Sequence, residues 1–213
     1  MVQTRTPLSR DRVVRAAIAM ADEGGIEALS MRKLADELGV KAMSLYNHVD
    51  NKDDLVNSIV DAAWAEIEPP DEEADWKTQI RELAVSAHET MLRHPWASSS
   101  RMRGMPGPAR LGYGDSLLGA FRNAGFSKDL TYHVYHIVES YIIGFTMQVE
   151  NYRNVDEGDF ADVIARFRRG EFQAEFPHFS EHALQHIDED HSDVNAFVLG
   201  LDLMLDGVER LRD

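Results

Sequence analysis

Apolar residues in this chain recur at three- and four-residue intervals from near its start to its end, and no convincing run alternates apolar and polar residues as a strand does. Val14, Ala17, Ile18 and Ala21 follow a potential N-cap at Ser9, and Gly24-Gly25 stops that segment. Met31, Leu34, Ala35 and Leu38 follow Ser30 and end at Gly39. Ala42, Leu45 and Val49 mark a third short helix, from about Lys41 to Val49. Asn51 caps a fourth, with Asp53 and Asp54 in its first turn, where the helix dipole favours anions. Leu55, Ile59 and Ala62 carry that helix towards Ile67, and Pro69-Pro70 breaks it. Beyond it, Trp76, Ile80, Leu83 and Ala87 share a face closed by Pro95, and Leu111, Leu118 and Phe121 suggest a helix ended by Gly125. Ser127 precedes a long helix carrying Val134, Ile137, Val138, Tyr141, Ile142, Phe145 and Val149. Residues 153–193 are the least regular, with one helix expected around Phe160–Arg168. The last helix, from about Ser192, carries Phe197, Leu201, Met204, Leu205 and Val208. The pattern predicts an all-α fold: an N-terminal three-helix helix-turn-helix domain over residues 1–52, a connecting helix over 53–68, and a larger helical ligand-binding and dimerisation bundle over 69–213.

Composition narrows the class. The chain has 213 residues, no cysteine and a formal net charge of -15, so there is no disulfide framework and no thiolate site. No signal-peptide pattern and no membrane-length apolar run occur, and the expected location is cytoplasmic. The charge is uneven. Residues 1–52 hold eight Lys/Arg against seven Asp/Glu, whereas residues 53–213 hold 14 against 30. An acidic body disfavours indiscriminate binding to nucleic acid, while a near-neutral head can still present a positive face.

That face falls in "GVKAMSLYNHVDNKDDL", residues 39–55. Two short helices joined at a glycine form a helix-turn-helix candidate. With Ala42, Leu45 and Val49 inward, Lys41, Ser44, Asn47 and His48 point outward with Met43 beside them, and their short donors and acceptors suit base edges and phosphates. Tyr46 lies at the flank, Lys52 opens the next helix, and Arg32 and Lys33 stand early in the preceding one. From pattern alone, DNA binding and a merely solvated three-helix bundle stand level.

The stretch "GIEALSMRKLADELGVKAMSLYNHVDNKDDLVNSIV" resembles the DNA-binding domain of the tetracycline-repressor (TetR) family of transcriptional regulators, through Gly25, the helix from Ser30 to Leu38, Gly39-Val40, Ser44-Leu45-Tyr46, His48, and Lys52 followed by Leu55. The resemblance implies a homodimer that binds palindromic double-stranded operator DNA and releases it when a small-molecule effector fills the C-terminal domain. Carried over by position, Ser44, Tyr46, His48 and Lys52 would make phosphate or near-base contacts, and Arg32, Lys41, Ala42, Met43 and Asn47 would face the groove. A weaker resemblance to the tetracycline-binding branch runs through "DWKTQIRELAVSAH", "RMRGMPGP" and "RNAGFSKDLTYHVYHIVESYIIGF". That branch holds its drug with magnesium, partly through a histidine and a glutamate. Here those positions carry Ser140 and Gln148, neither a good magnesium anchor.

Met91, Trp96, Met102, Met105 and Phe145 are candidates for the apolar wall of an effector pocket, with His133, His136, Ser140 and Gln148 as its polar part. His133, His136 and Glu139 at i, i+3, i+6, and His178, His182 and His186 at i, i+4, i+8, admit a metal reading, but pocket lining and a solvated face account for them more simply. No metal and no cofactor is therefore expected. Gly200 and Gly207 on the last helix are expected to let a neighbouring helix approach, giving a two-fold four-helix interface with the long helix. No phosphate loop, nucleophile elbow or paired metal motif supports an enzyme. The alternatives are a helical metal-dependent enzyme and a protein-interaction module that has lost DNA.

Overall fold

A computed structural model describes residues 7–99, 105–153, 157–188 and 193–212. These form twelve helices and no strand: α1 (Arg10–Ala28), α2 (Met31–Leu38), α3 (Ala42–Leu45), α4 (Lys52–Trp64), α5 (Trp76–Arg93), α6 (Pro95–Ser99), α7 (Pro108–Asn123), α8 (Lys128–Arg153), α9 (Glu157–Phe167), α10 (Gly170–Glu175), α11 (Pro177–Asp188) and α12 (Asp193–Glu209). None of them is long and apolar enough to cross a membrane among the described residues.

The head is α1 to α3 with the first half of α4. Side-chain oxygens of Ser9, Ser30 and Asn51 accept from backbone N–H groups of Arg12, Lys33 and Asp54, which satisfies donors that a helix start leaves open. The buried row of α1 is Val13, Ala17 and Ala21, an i, i+4, i+8 line. Val14 and Ile18, expected on that face, pack at its edge. Gly25 breaks the helix where the sequence predicts a stop: its backbone takes φ 71° and ψ 170°, which glycine reaches at little cost, and a short second helical stretch follows to Ala28. Gly39 ends α2, at φ 66°.

In the body, α5 packs against α7, α8 and α12, and α8 also packs against α7 and α12. The inner row of α8 is Thr131, Val134, Val138, Ile142, Thr146 and Val149; Ile137, expected among them, is exposed. His88 is buried flat against Phe197, ring centroids 4.3 Å apart, and its Nδ1 pairs with Thr146 Oγ1 at 2.7 Å. Lys77 bridges Asp206 and Glu209, and Arg81 pairs with Asp202, tying α5 to α12 at the surface.

Several boundaries differ from the sequence expectation. Pro95 closes α5, which ends at Arg93, and also starts α6, and Pro108 starts α7, because the first helical position needs no N–H partner. Residues 157–188 are helical, not irregular: α9, α10 and α11 pack on one another through Phe167, Phe172, Phe176 and Phe179. Gly200 serves this chain's own core. A Cβ there would overlap the Tyr141 ring and hydroxyl, and Tyr141 donates to the Phe197 carbonyl at 2.8 Å. A Cβ at Gly207 would meet no neighbouring element among the described residues.

Gly200→Ala should therefore lower unfolding stability by about 1–3 kcal/mol, the usual cost of overpacking. Tyr141→Leu in the same chain should recover part of it, read by urea midpoints of the single and double variants.

Candidate functional site

Burial decides what the helix-turn-helix shows to solvent. Leu45 and Val49 are 0% and 2% exposed, so the rest of their turn must face out: Met43 is 74% exposed and Tyr46 45%. Lys41, Asn47, Lys52, Arg32 and Lys33 are exposed as well, while Ser44, His48 and Ala42 are half-buried. The helix at this place is shorter than expected. It spans Ala42–Leu45, and Tyr46 to His48 continue as a turn held by bonds from the His48 and Val49 N–H groups to the Leu45 carbonyl. Arg10 braces that turn. Its guanidinium donates to the His48 carbonyl at 2.7 Å, to Ser58 Oγ at 2.7 Å and to Asp54 at 3.2 Å. Asp54 also accepts from the Asp50 N–H at 3.0 Å. The surface thus combines cations, an amide, a phenol and one bare thioether on a fixed frame, the mixture that reads phosphates, base edges and methyl groups.

In the body, a cavity of about 460 Å³ opens between α7 and α8, lined by Arg110, His136, Glu139, Ser140, Ile143 and Gly144. The five α8 residues form one helical stripe, on a different side from the buried row. The Arg110 guanidinium lies 4.9 Å from the centre of the Trp64 ring, and Trp64 meets Tyr113 edge-on at 5.0 Å. Burial, then a hydrogen bond to Glu139, pushes the Tyr135 phenol up to about 12. Burial, reinforced by the Glu139 charge, also holds the Tyr113 phenol well above its usual range. Both phenols are protonated donors at neutral pH.

Polar contacts join head to body. His94 at the end of α5 places Nδ1 2.7 Å from Asp22 and Nε2 3.3 Å from Glu66. Trp96 donates to the same Asp22 oxygen at 2.7 Å, and Arg93 pairs with Glu66 at 3.2 Å.

Residues 13–67 match the family described as bacterial regulatory proteins, tetR family, and residues 68–212 match the tetracyclin repressor-like C-terminal domain. The chain belongs to the TetR family. As a member it is a transcriptional regulator with a helix-turn-helix head and a ligand-binding C-terminal domain, the architecture of the family's repressors. An HTH-type transcriptional regulator of Saccharopolyspora erythraea is 32% identical over 177 residues, 82% of this chain and 75% of that one. The class A tetracycline repressor from transposon 1721 of Escherichia coli is 27% identical, covering 97% of this chain and 93% of its own. Among solved structures, Streptomyces coelicolor ActR in complex with actinorhodin superposes with a TM-score of 0.75 at 26% identity, covering 96% and 98% of the two chains.

Within this TetR-family body the expected pocket residues disperse. His136 and Ser140 line the cavity. Met91 and Trp96 are buried core, Trp96 being held by Asp22. Met105 is 81% exposed, and His133 and Gln148 face solvent outside the cavity lining. Phe145 packs on His88 and Phe197 instead. Met102 lies outside the described residues. His133 and His136 do not converge, His178 and His182 are exposed on α11, and no group of three potential metal ligands comes together among the described residues. Arg10, Arg110, Ile143 and Gly144 went unread. Arg110 had a signal, the "PGP" that starts its helix; the others had none.

The raised phenols have a pH consequence. A proton held more tightly by the folded chain stabilises it fully below the unfolded value near 10, and that stability disappears as pH rises towards about 12. Stability should fall across that window, and Tyr113→Phe or Tyr135→Phe should flatten the fall, as measured by urea midpoints against pH.

Proposed function

We propose that this TetR-family regulator is a homodimeric repressor whose two α3 turns enter successive major grooves of a palindromic operator, about 34–36 Å apart. The outward surface made by burying Leu45 and Val49 carries this reading. Tyr46, Ser44, His48 and Lys52 hold phosphates, and Lys41, Asn47, Arg32, Ala42 and Met43 address the groove. Arg10 fixes the turn that carries them. Base readout rests on Lys41 and Asn47 as hydrogen-bonding groups and on Met43 and Ala42 against thymine methyls.

The dimer forms through α8 and α12. Ile137, Leu199 and Leu203 are 48%, 62% and 66% exposed, an apolar set that a single copy leaves in water and a two-fold four-helix contact buries. The effector is a small organic molecule seated between α7 and α8. Arg110 and Glu139 offer it one charge of each sign, and His136 and Ser140 offer hydrogen bonds. That lining favours a ligand with both acidic and donor groups over a magnesium chelate, and ActR, whose structure holds actinorhodin, is a precedent for a non-tetracycline occupant. The chain works in the cytoplasm as a regulator rather than as an enzyme.

Tyr46→Phe and Lys52→Ala should each weaken binding to operator and to random duplex alike. The lysine change should also lower the slope of log affinity against log salt by about 1. Fluorescence anisotropy across a salt series reads both effects, and unchanged affinity in both variants would remove these residues from the interface.

A further inference from the structure

Helix α4 touches both functional regions. At its start Asp54 holds Arg10 and the Asp50 N–H beside the recognition turn. At its end Trp64 lies under Arg110, which lines the cavity. One turn before Trp64, Asp61 makes a contact of unusual form. A single carboxylate oxygen accepts from the N–H groups of Ala109 at 3.0 Å and Arg110 at 3.2 Å, the first turn of α7. The N-cap residue of α7 is Gly107, which has no side chain to offer. The start of α7 is therefore capped by a carboxylate from another helix, where backbone donors and the helix dipole both favour an anion. Gly107 permits this approach, because a Cβ there would overlap the carboxyl carbon and both oxygens of Asp61.

We propose that Asp61 and Gly107 are positioning residues for operator recognition: their contact sets the angle of α4 against the body, and through α4 the separation of the two recognition turns. The inference rests on the DNA-binding reading above. The other head-to-body contacts, through Asp22, His94, Glu66 and Arg93, involve no residue of the cavity lining. The Asp61 contact takes the backbone N–H of Arg110 itself, and with the stacking of that guanidinium on Trp64 it links the cavity lining to α4.

The test uses the full-length dimer and a duplex enriched by it from a random pool, with a scrambled duplex as control. Asp61→Ala and Gly107→Ala should each weaken the enriched duplex on the order of tenfold, the usual scale of coupling between sites, and leave the scrambled duplex unchanged, since each head is intact. The double variant should bind no worse than Asp61→Ala alone, because the added Cβ then has no carboxylate to strike. Asp61→Asn, which keeps an acceptor oxygen, should restore most of the loss. Wild-type affinity in both single variants overturns the proposal. So do losses that add in the double variant, or equal losses on both duplexes with a lowered melting temperature, which mark a fold defect. If the wild-type chain enriches no duplex at all, the DNA-binding reading falls and takes this one with it.

Discussion

One 13-residue helix, α4, joins the head of this molecule to its body through two buried faces in series, and α1 adds a second link where Asp22 meets His94 and Trp96. Leu55 and Ile59 complete the core beneath the recognition turn, and Ala63 and Trp64 complete the contact with α6 and α7. Such a helix is about 20 Å long and, as a hydrogen-bonded rod, transmits rotation with little loss. Neither half can shift without carrying the other, because each is packed at interior density and has no slack. The short α3 depends on the same rod. Its four residues cannot hold a helix alone; Leu45 and Val49 beneath it and Arg10 across its carbonyl do so.

Charge is arranged to suit a selective binder. The acidic body repels duplex nearly everywhere, and the exposed cations Arg32, Lys33, Lys41 and Lys52 converge on the head. Counterion release then rewards one orientation of approach rather than general adhesion. Around the head, Asp54 holds Arg10, and Asp22 accepts from both His94 and Trp96.

The head was the more legible half because its signals are local. Ser30 and Gly39 bound α2 and Asn51 caps α4, where the sequence placed them, since caps and left-handed glycines act within a few residues. What failed depended on partners distant in sequence. The segment from 157 to 188 holds α9, which matches the helix expected around Phe160–Arg168, and two further helices, α10 and α11, that are joined to it by phenylalanines facing one another. The cavity was half-read. His136 and Ser140 were visible as polar residues on an apolar helix, but which stripe of α8 meets water, which meets α12 and which meets α7 is set by neighbours that periodicity does not name. Trp96 and Met91 had the composition of a pocket wall and turned out to be core.

Magnitude also bears on which contacts can serve a switch. Coupling between an effector and an operator is worth about 1–3 kcal/mol. The burial of Trp64 and Ile59 is too costly to undo at that scale, since losing one large core side chain costs about 3–5 kcal/mol. Surface pairs such as Lys77 with Asp206 are open to solvent screening and contribute too little. Two part-buried N–H bonds to one carboxylate fall between, at about 1.5–3 kcal/mol each for a charged acceptor. A contact of that strength is firm enough to hold α4 against α7 and weak enough to be offset by the energy of a few polar contacts, which is the range a switch of the proposed kind requires.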